Sequence, residues 1–500
     1  MLKALGNTGA NLVGGLVVMA AVLGFNALYL RMAPAEVFGV ISLLLTVTLI
    51  LPALDFGAGR TAGRLIAGAL AMGAEAPGLR RSILTLQLCS AAVGLGLGAA
   101  LAGAAPAIAA HWLDAGSLPA GGLASALGLI AVLIPLMMVR NFAYACLNGM
   151  QRQVLSNALL MSFVLAGGVA GVLALHLDAG SLPSFLAAQI AVHSAEAVVA
   201  VATAWRLMPG AGAPRPDWSV LRRTWRFAGG DAGATMIGAA LAHGDRILLS
   251  ALLPLPDYGP YALVSTVAAG LGRLTGPFAA AFLPHFVGLT AAGRREALRA
   301  DYLVATQLLG CAIIPVAASM IAFSPEIVAT VLGEAAGSTA LPWVLSMLVA
   351  ATVLNNLMHL PHGVQLAAGD SVTALRFTAA GGLAYLAMML LVIERMGILA
   401  PALSLLVVQG VSFVFFTRVT HRLLGIPAGR WMLRAMLRPA LGAAPAIVAG
   451  AVLLPPGIGL GAGAAWVAGT AIAGCAGALA VSPGARRAIA RFRGRAGESA

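Results

Sequence analysis

Gln189, His193 and Glu196 follow one another at i, i+4 and i+7, which puts an amide, an imidazole and a carboxylate on one face of a helix. Such a set can take up and release a proton or an ion. It can equally pin one helix to its neighbour through hydrogen bonds, and spacing alone leaves both roles open. A second set lies in LAHGDRILLSALL, where Asp245 and Arg246 are adjacent inside an otherwise almost wholly apolar run. Neighbouring helical residues point about 100° apart, so the two charges cannot simply neutralise each other and each needs its own partner. His243 and Ser250 share the Arg246 face by spacing. Arg273 and Arg140 are two further cations in apolar surroundings, Arg140 being followed by Asn141, Tyr144 and Asn148. That last group reads as an interfacial polar cap, with Arg140 kept among the candidate anion-binding cations. Guanidinium forks suit phosphate in particular, so Arg246, Arg273 and Arg140 point to an anionic, phosphate-bearing ligand.

These side chains need elements that can carry charge through an apolar medium. The chain has 500 residues, 60% hydrophobic and 9% charged, against about 25% charged in a soluble domain. It is an integral membrane protein, and an ionisable group there costs about 2.5–3.5 kcal/mol unless it faces a cavity or a partner. A span needs about 20 apolar residues. Apolar runs near 8–30, 37–58, 82–110, 122–149, 155–177, 184–205, 230–253, 258–285, 302–323, 340–361, 377–393, 398–417, 439–455 and 462–481 meet or approach that length. The expected fold is all-α, with about fourteen transmembrane helices. At 1.5 Å per residue, Glu196 lies roughly 18 Å into span six, Arg246 roughly 10 Å from the outer end of span seven, and Arg273 roughly 20 Å below the start of span eight.

Arginines crowd alternate connections: Arg60, Arg64, Arg80 and Arg81; Arg152; Arg206, Arg215, Arg222, Arg223 and Arg226; Arg294, Arg295 and Arg299; Arg376; and Arg418 to Arg438. The opposite connections hold only Arg31 and Arg395. The basic side is therefore expected to be cytoplasmic, with both termini inside. This distribution also accounts for the net charge of +13 without nucleic acid. The only lysine is Lys3, which excludes a Walker A lysine and a buried Schiff base. Cys89, Cys146, Cys311 and Cys475 are far apart and show no metal or disulfide spacing. Neither a metal nor a cofactor is expected.

The chain repeats itself. APAEVFGVISLLLTV (Ala33–Val47) is similar to LPLPDYGPYALVSTV (Leu253–Val267), with Pro34 over Pro254, Phe38-Gly39 over Tyr258-Gly259 and Thr46 over Thr266. The offset spans an even number of crossings, so two parallel six-helix lobes around a central cavity are expected, at 1–205 and 230–420. A linker over 206–229, with Trp218, Trp225 and several arginines, reads as an interfacial amphipathic helix. A further two-helix hairpin fills 421–481 and a basic tail 482–500. The phrase LDAGSLP, at 113–119 and 177–183, reads as helix-end punctuation. GLGLGA (94–99) and GIGLGAG (457–463) follow no strand, so close helix packing or a turn is expected there instead of a nucleotide loop.

ALYLRMAPAEVFGVISLLLTVTLILPALDFGAGR and GDRILLSALLPLPDYGPYALVSTVAAGLGRLTGPFAAAFLPHF resemble the openings of the two lobes of the polysaccharide-biosynthesis oligosaccharide flippases. ACLNGMQRQVLSNAL and GVQLAAGDSVTALRF are similar to their inner turns after spans four and ten. The resemblance covers most of 1–420 and implies the multidrug/oligosaccharidyl-lipid/polysaccharide exporter fold. It implies a lipid-linked glycan as substrate, flipped as a polyprenyl-pyrophosphate from the inner to the outer leaflet of the bacterial inner membrane by alternating access. The pyrophosphate would sit on cavity arginines, here Arg246 and Arg273 by position, and a proton or sodium ion would be the coupling ion. The prenyl tail would stay among the membrane lipids. The peptidoglycan-precursor branch resembles this chain less, since Arg31 and Arg60 both lie at span ends. Two rivals fit worse. A cation-coupled small-molecule exporter of the same fold needs an acidic cavity, whereas arginine outnumbers Asp and Glu within the spans. An enzyme acting on extracellular glycan would need a large outer loop, and none exceeds about 15 residues by span spacing.

Overall fold

A computed structural model describes residues 2–71, 78–114, 116, 118–210, 215–222, 244, 246–333, 339–368, 371–455, 460–487 and 489–490. The described residues are helical, with turns between helices and no strand. Ten apolar helical stretches among them are long enough to cross a membrane. The longest apolar stretch, Arg376–Leu424, is 49 residues, more than twice what a bilayer needs. It comprises two helices, Ser371–Met396 and Ala400–Leu424, packed together across a 3-10 turn that Gly397 enters with φ 49°. The span expected over 230–253 lies largely outside the described residues.

The chain forms two compact units, Met1–Leu263 and Val264–Ala500. In the first, helices α1 (Leu2–Met32), α2 (Ala35–Ile50), α3 (Ala58–Ala71), α4 (Leu79–His111), α5 (Ala120–Gly149), α6 (Gln153–Leu177) and α7 (Leu182–Leu207) follow in order. Helix α5 is central and packs on α3, α4 and α7. Its approach to α4 is set by glycine. A Cβ on Gly98 would stand 2.6 Å from the Ala131 carbonyl oxygen, and one on Gly94 2.9 Å from Pro135 Cα, while one on Gly96 would meet nothing. The GLGLGA run is thus a small-residue stripe that lets two spans touch backbone to backbone.

The repeat seen in the sequence extends through the elements. Helix α2 ends in a 3-10 turn at Leu51–Ala53, and its counterpart Leu255–Ala269 ends in one at Gly270–Leu274. Helix α5 is answered by Leu341–Ala367, α6 by Ser371–Met396 and α7 by Ala400–Leu424. The two copies of the proline-aromatic-glycine turn also meet inside the first unit. A Cβ on Gly259 would lie 2.7 Å from Phe38 Cδ1, and one on Gly39 2.6 Å from the Leu255 carbonyl oxygen. The Tyr258 hydroxyl is 2.8 Å from Thr46 Oγ1.

Turn chemistry accounts for the repeated LDAGSLP. In the second copy Gly180 takes φ 83° and donates its N–H to the Leu175 carbonyl over 2.8 Å. Ser184 donates to the Asp178 carboxylate, which this bond and one from Ser181 hold below its ordinary pKa. In the first copy the Asp114 carbonyl accepts the Leu255 N–H over 3.0 Å. Of GIGLGAG, residues 457–459 lie outside the described residues and the remaining four open the helix Leu460–Ala480. Asp55 accepts the N–H groups of Gly57 and Gly59 over 2.8 and 3.0 Å, so it caps the start of α3. Of the expected amphipathic linker, 206–210 and 215–222 are described: Val220 is buried in the α3–α4–α5–α7 core and the Asp217 N–H reaches Thr85 Oγ1 over 2.7 Å, with Trp218 exposed.

In the second unit, helix Arg295–Ala322 packs on Leu341–Ala367 and on the hairpin formed by Arg438–Val452 and Leu460–Ala480. Tyr302 and His421 share a hydrogen bond of 3.0 Å, and Trp431 packs on the His421 ring at 5.0 Å.

Candidate functional site

The first unit holds a buried charge cluster that joins α5 to α7. Arg140 Nη1 donates to Glu196 Oε2 in an ion pair. Tyr144, one turn beyond Arg140, donates its hydroxyl to Glu196 Oε1 over 2.8 Å. His193, one turn before Glu196, places Nδ1 2.9 Å from Glu196 Oε2 and 3.2 Å from Arg140 Nη1. Glu196 is 0% exposed and Arg140 7%. Both carboxylate oxygens are engaged, so the charge is paired and hydrogen-bonded, which is the condition for tolerating it in an apolar medium.

Helix geometry makes this set. Arg140 and Tyr144 stand at i, i+4 on α5, His193 and Glu196 at i, i+3 on α7, and the two pairs interlock. By rise per residue the cluster lies roughly 15 Å from the arginine-rich ends of both helices. The expected interfacial cap on α5 is corrected for two of its members. Arg140 and Tyr144 turn inward to a carboxylate, which satisfies them better than a helix end would, and Asn148 alone of the four is fully exposed.

His193 gives the cluster two arrangements. With its proton on Nδ1 it donates to Glu196; with the proton on Nε2, Nδ1 accepts from Arg140. Arg140 Nε is buried and meets no acceptor among the described residues. Gln189, the third member of the α7 face, is turned to α6 and donates to the Gly167 carbonyl over 3.0 Å. It holds helices together two turns away from the carboxylate.

The repeat supplies an internal comparison. Neither Leu341–Ala367 nor Ala400–Leu424, the counterparts of α5 and α7, contains an acidic residue. At comparable depth they bury Leu360, Val364, Phe413 and Phe416, and His362 stacks on Phe416 at 6.0 Å. One half of the fold packs this level with apolar side chains, so the ionic cluster in the other half is not demanded by the architecture.

A family model described as "Polysaccharide biosynthesis protein" matches residues 79–337, just over half of the chain. The chain belongs to the polysaccharide biosynthesis protein family. Among curated proteins none matches it. Among solved structures this polysaccharide biosynthesis protein is similar to the lipid II flippase MurJ in an inward closed conformation, at TM-score 0.64 and 12% identity over 95% of this chain and 98% of that one. It is similar to an inward-facing multidrug resistance MATE family transporter of the MOP superfamily, at 0.61 and 14% over 84% and 98%. A MATE transporter from Vibrio cholerae matches at 0.52 and 13% over 84% and 96%. At these identities the likeness shows the fold: this family member is a multi-pass membrane protein built like flippases and transporters.

The remaining candidates of this polysaccharide biosynthesis protein sit elsewhere. Arg246 is buried, 3% exposed, in the first unit, where Ser250 on the same helix accepts from Trp112 Nε1 over 3.3 Å. Asp245 and His243 lie outside the described residues. Arg273 is exposed and belongs to the 3-10 segment Gly270–Leu274 of the second unit. Helix interruptions of this kind are where membrane transporters present backbone and charge to a ligand. Of the span-ten set, His359 is exposed, with its ring bound to the Asn355 carbonyl at 3.1 Å. No group of three or more His, Cys, Asp or Glu among the described residues could hold a metal ion.

Proposed function

We propose that this protein is a flippase that moves a polyprenyl-pyrophosphate-linked oligosaccharide, an O-antigen, capsule or exopolysaccharide repeat unit, across the bacterial inner membrane by alternating access, with both termini cytoplasmic. It does so as a transporter without catalytic residues or cofactor. The observation that carries this reading is the buried Arg140–Glu196 pair of a polysaccharide-biosynthesis family member, present in one half of the repeat and replaced by apolar packing in the other. A charged device that the fold itself does not need supports a role in translocation.

The chemistry proceeds from the cluster. Glu196 is the coupling carboxylate: a proton or sodium ion arriving there loosens the hold on Arg140, and His193 relays the proton through its two nitrogens. Arg140, once released, serves like Arg246 as a cation for the pyrophosphate, and Arg273 is the candidate cation of the second unit. Substrate and coupling ion thereby act on the same guanidinium, and a ligand shifts such an equilibrium only by its differential affinity for the two states. Asp245 and His243 are further candidates for the polar path, while Gln189 ties α7 to α6. The glycan passes through this path while the prenyl chain remains in lipid.

The alternative, a cation-coupled drug exporter, draws on the fold shared with MATE transporters and on the buried Glu196 carboxylate. The arginine excess favours an anionic substrate over it. Deleting the gene and following surface glycan and lipid-linked intermediate tests the choice. The flippase reading expects loss of surface glycan with the lipid-linked repeat unit held in the cytoplasmic leaflet. Unchanged surface glycan with drug hypersensitivity would support the exporter.

A further inference from the structure

The second unit contains a cavity that the translocation reading does not use. It measures 430 Å³, within the range of about 300–1,000 Å³ typical of small-molecule sites. Five arginines line it: Arg299, Arg430, Arg434, Arg438 and Arg487. They come from three separate parts of the chain. Arg299 opens helix Arg295–Ala322, Arg430, Arg434 and Arg438 recur at i, i+4 and i+8 through a helix that passes through a π segment at Leu433–Leu437, and Arg487 follows the last span.

Among the described residues little offsets these charges. The one lining carboxylate, Glu296, is 91% exposed at its side chain and comes no closer than 3.8 Å to Arg299. Arg299 also donates to the Gly425 carbonyl, and Arg487 Nε donates to the Pro483 carbonyl over 3.3 Å. An independent observation points the same way. Gln307 lines the cavity, is 3% exposed, and its Nε2 donor meets no acceptor among the described residues. A buried amide donor without a partner costs free energy unless a ligand supplies the acceptor. Arginines that only fix topology need not converge on one concavity.

We propose that this cavity is a binding site for a phosphate-bearing anion with two or more negative charges, held by the Arg430–Arg434–Arg438 face, Arg299 and Arg487, and oriented by the Gln307 amide. Several forked donors match the oxygens of a diphosphate or of a doubly charged phospholipid headgroup. The arginine count places this end of the unit in the cytoplasm, where a soluble polyphosphate and an inner-leaflet anionic lipid can both supply that chemistry. The site is separate from Arg140 and Glu196, so its test does not depend on glycan export.

The full-length protein is placed in phosphatidylcholine nanodiscs and titrated with radiolabelled inorganic pyrophosphate. The variant Arg430→Gln/Arg434→Gln/Arg438→Gln should bind at least about tenfold more weakly. The charge-matched control Arg418→Gln/Arg422→Gln/Arg486→Gln, outside the cavity, should stay within about twofold of wild type. Gln307→Glu puts a carboxylate among the guanidiniums, which keeps the cavity filled and folded, and it should lose binding like the triple variant. Repeating the titration with cardiolipin in the nanodisc separates the sources. Competition for pyrophosphate, with cardiolipin retention that the triple variant lacks, identifies a lipid headgroup; no competition identifies a soluble phosphate. Equal loss in the control triple, or no binding of either probe by wild type, overturns the site.

Discussion

Tyr144 and Glu196 are bonded hydroxyl to carboxylate over 2.8 Å, from helices α5 and α7 of one unit, with Arg140 on the carboxylate's other oxygen. A carboxylate held by three side chains from two spans is both a structural tie and a device that one proton can undo.

Removing one partner should be costly. Glu196→Ala leaves the Arg140 guanidinium buried and unpaired, for which about 3–5 kcal/mol of destabilisation is expected. Thermal unfolding in detergent should show a large drop in midpoint for this variant and a smaller one for Glu196→Gln, which keeps hydrogen-bonding capacity. An unchanged midpoint for Glu196→Ala would mean that Arg140 has a better partner than the one described.

Removing both partners should dissociate stability from function. Arg140→Met/Glu196→Leu imitates the apolar packing of the second repeat, and swaps of buried ion pairs for apolar side chains are often neutral or stabilising. The double variant should recover most of the midpoint lost in Glu196→Ala while export stays abolished. Recovery of export together with stability would show the cluster to be structural only.

Tyr144→Phe deletes one hydrogen bond to a charged group, worth about 1.5–3 kcal/mol. It leaves the ion pair in place. Export should persist, with a pH profile displaced from wild type, because the proton-accepting carboxylate has lost a donor. A profile that overlays wild type would remove Tyr144 from the coupling machinery.

Arg273→Ala should abolish glycan export while the protein accumulates in the membrane at the wild-type level, since the side chain is exposed. Immunoblotting of membranes beside a surface-glycan assay reads both quantities. Unchanged export would remove Arg273 from the mechanism.

Packing supplies a matched pair. Gly98→Ala drives a methyl to 2.6 Å from the Ala131 carbonyl oxygen, whereas Gly96→Ala meets nothing. The first should cost about 1–3 kcal/mol by overpacking, and the second should be neutral or slightly stabilising by helix propensity. Similar midpoints for the two variants would contradict the α4–α5 contact.

Periodicity in the sequence made the α7 face visible, because Gln189, His193 and Glu196 need only helical spacing to be grouped. It could not show that Gln189 turns to Gly167 instead, since membership of a face says nothing about which neighbour that face meets. Tyr144 carried a usable signal, its i, i+4 relation to Arg140. Reading both as caps ignored that a guanidinium and a phenol inside a span seek a carboxylate, and Glu196 was the acidic residue at suitable depth. The proline-aromatic-glycine repeat was legible because turn residues are constrained locally. That the two copies touch, Gly259 against Phe38, is a tertiary fact with no local trace. The Arg430–Arg434–Arg438 row was hidden by its own sign: positive-inside counting absorbs any cytoplasmic arginine, and convergence with Arg299, Arg487 and Gln307 needs the fold.

Translocation itself is most directly measured in proteoliposomes holding the purified protein and a fluorescent polyprenyl-pyrophosphate oligosaccharide, with a membrane-impermeant quencher outside. Flipping should let wild type expose the inner-leaflet pool faster than empty liposomes, respond to an imposed proton or sodium gradient, and fall to the empty rate with Arg140→Met/Glu196→Leu. Wild-type exposure no faster than empty liposomes under either gradient, or an undiminished rate in the double variant, would contradict a flippase driven through this cluster.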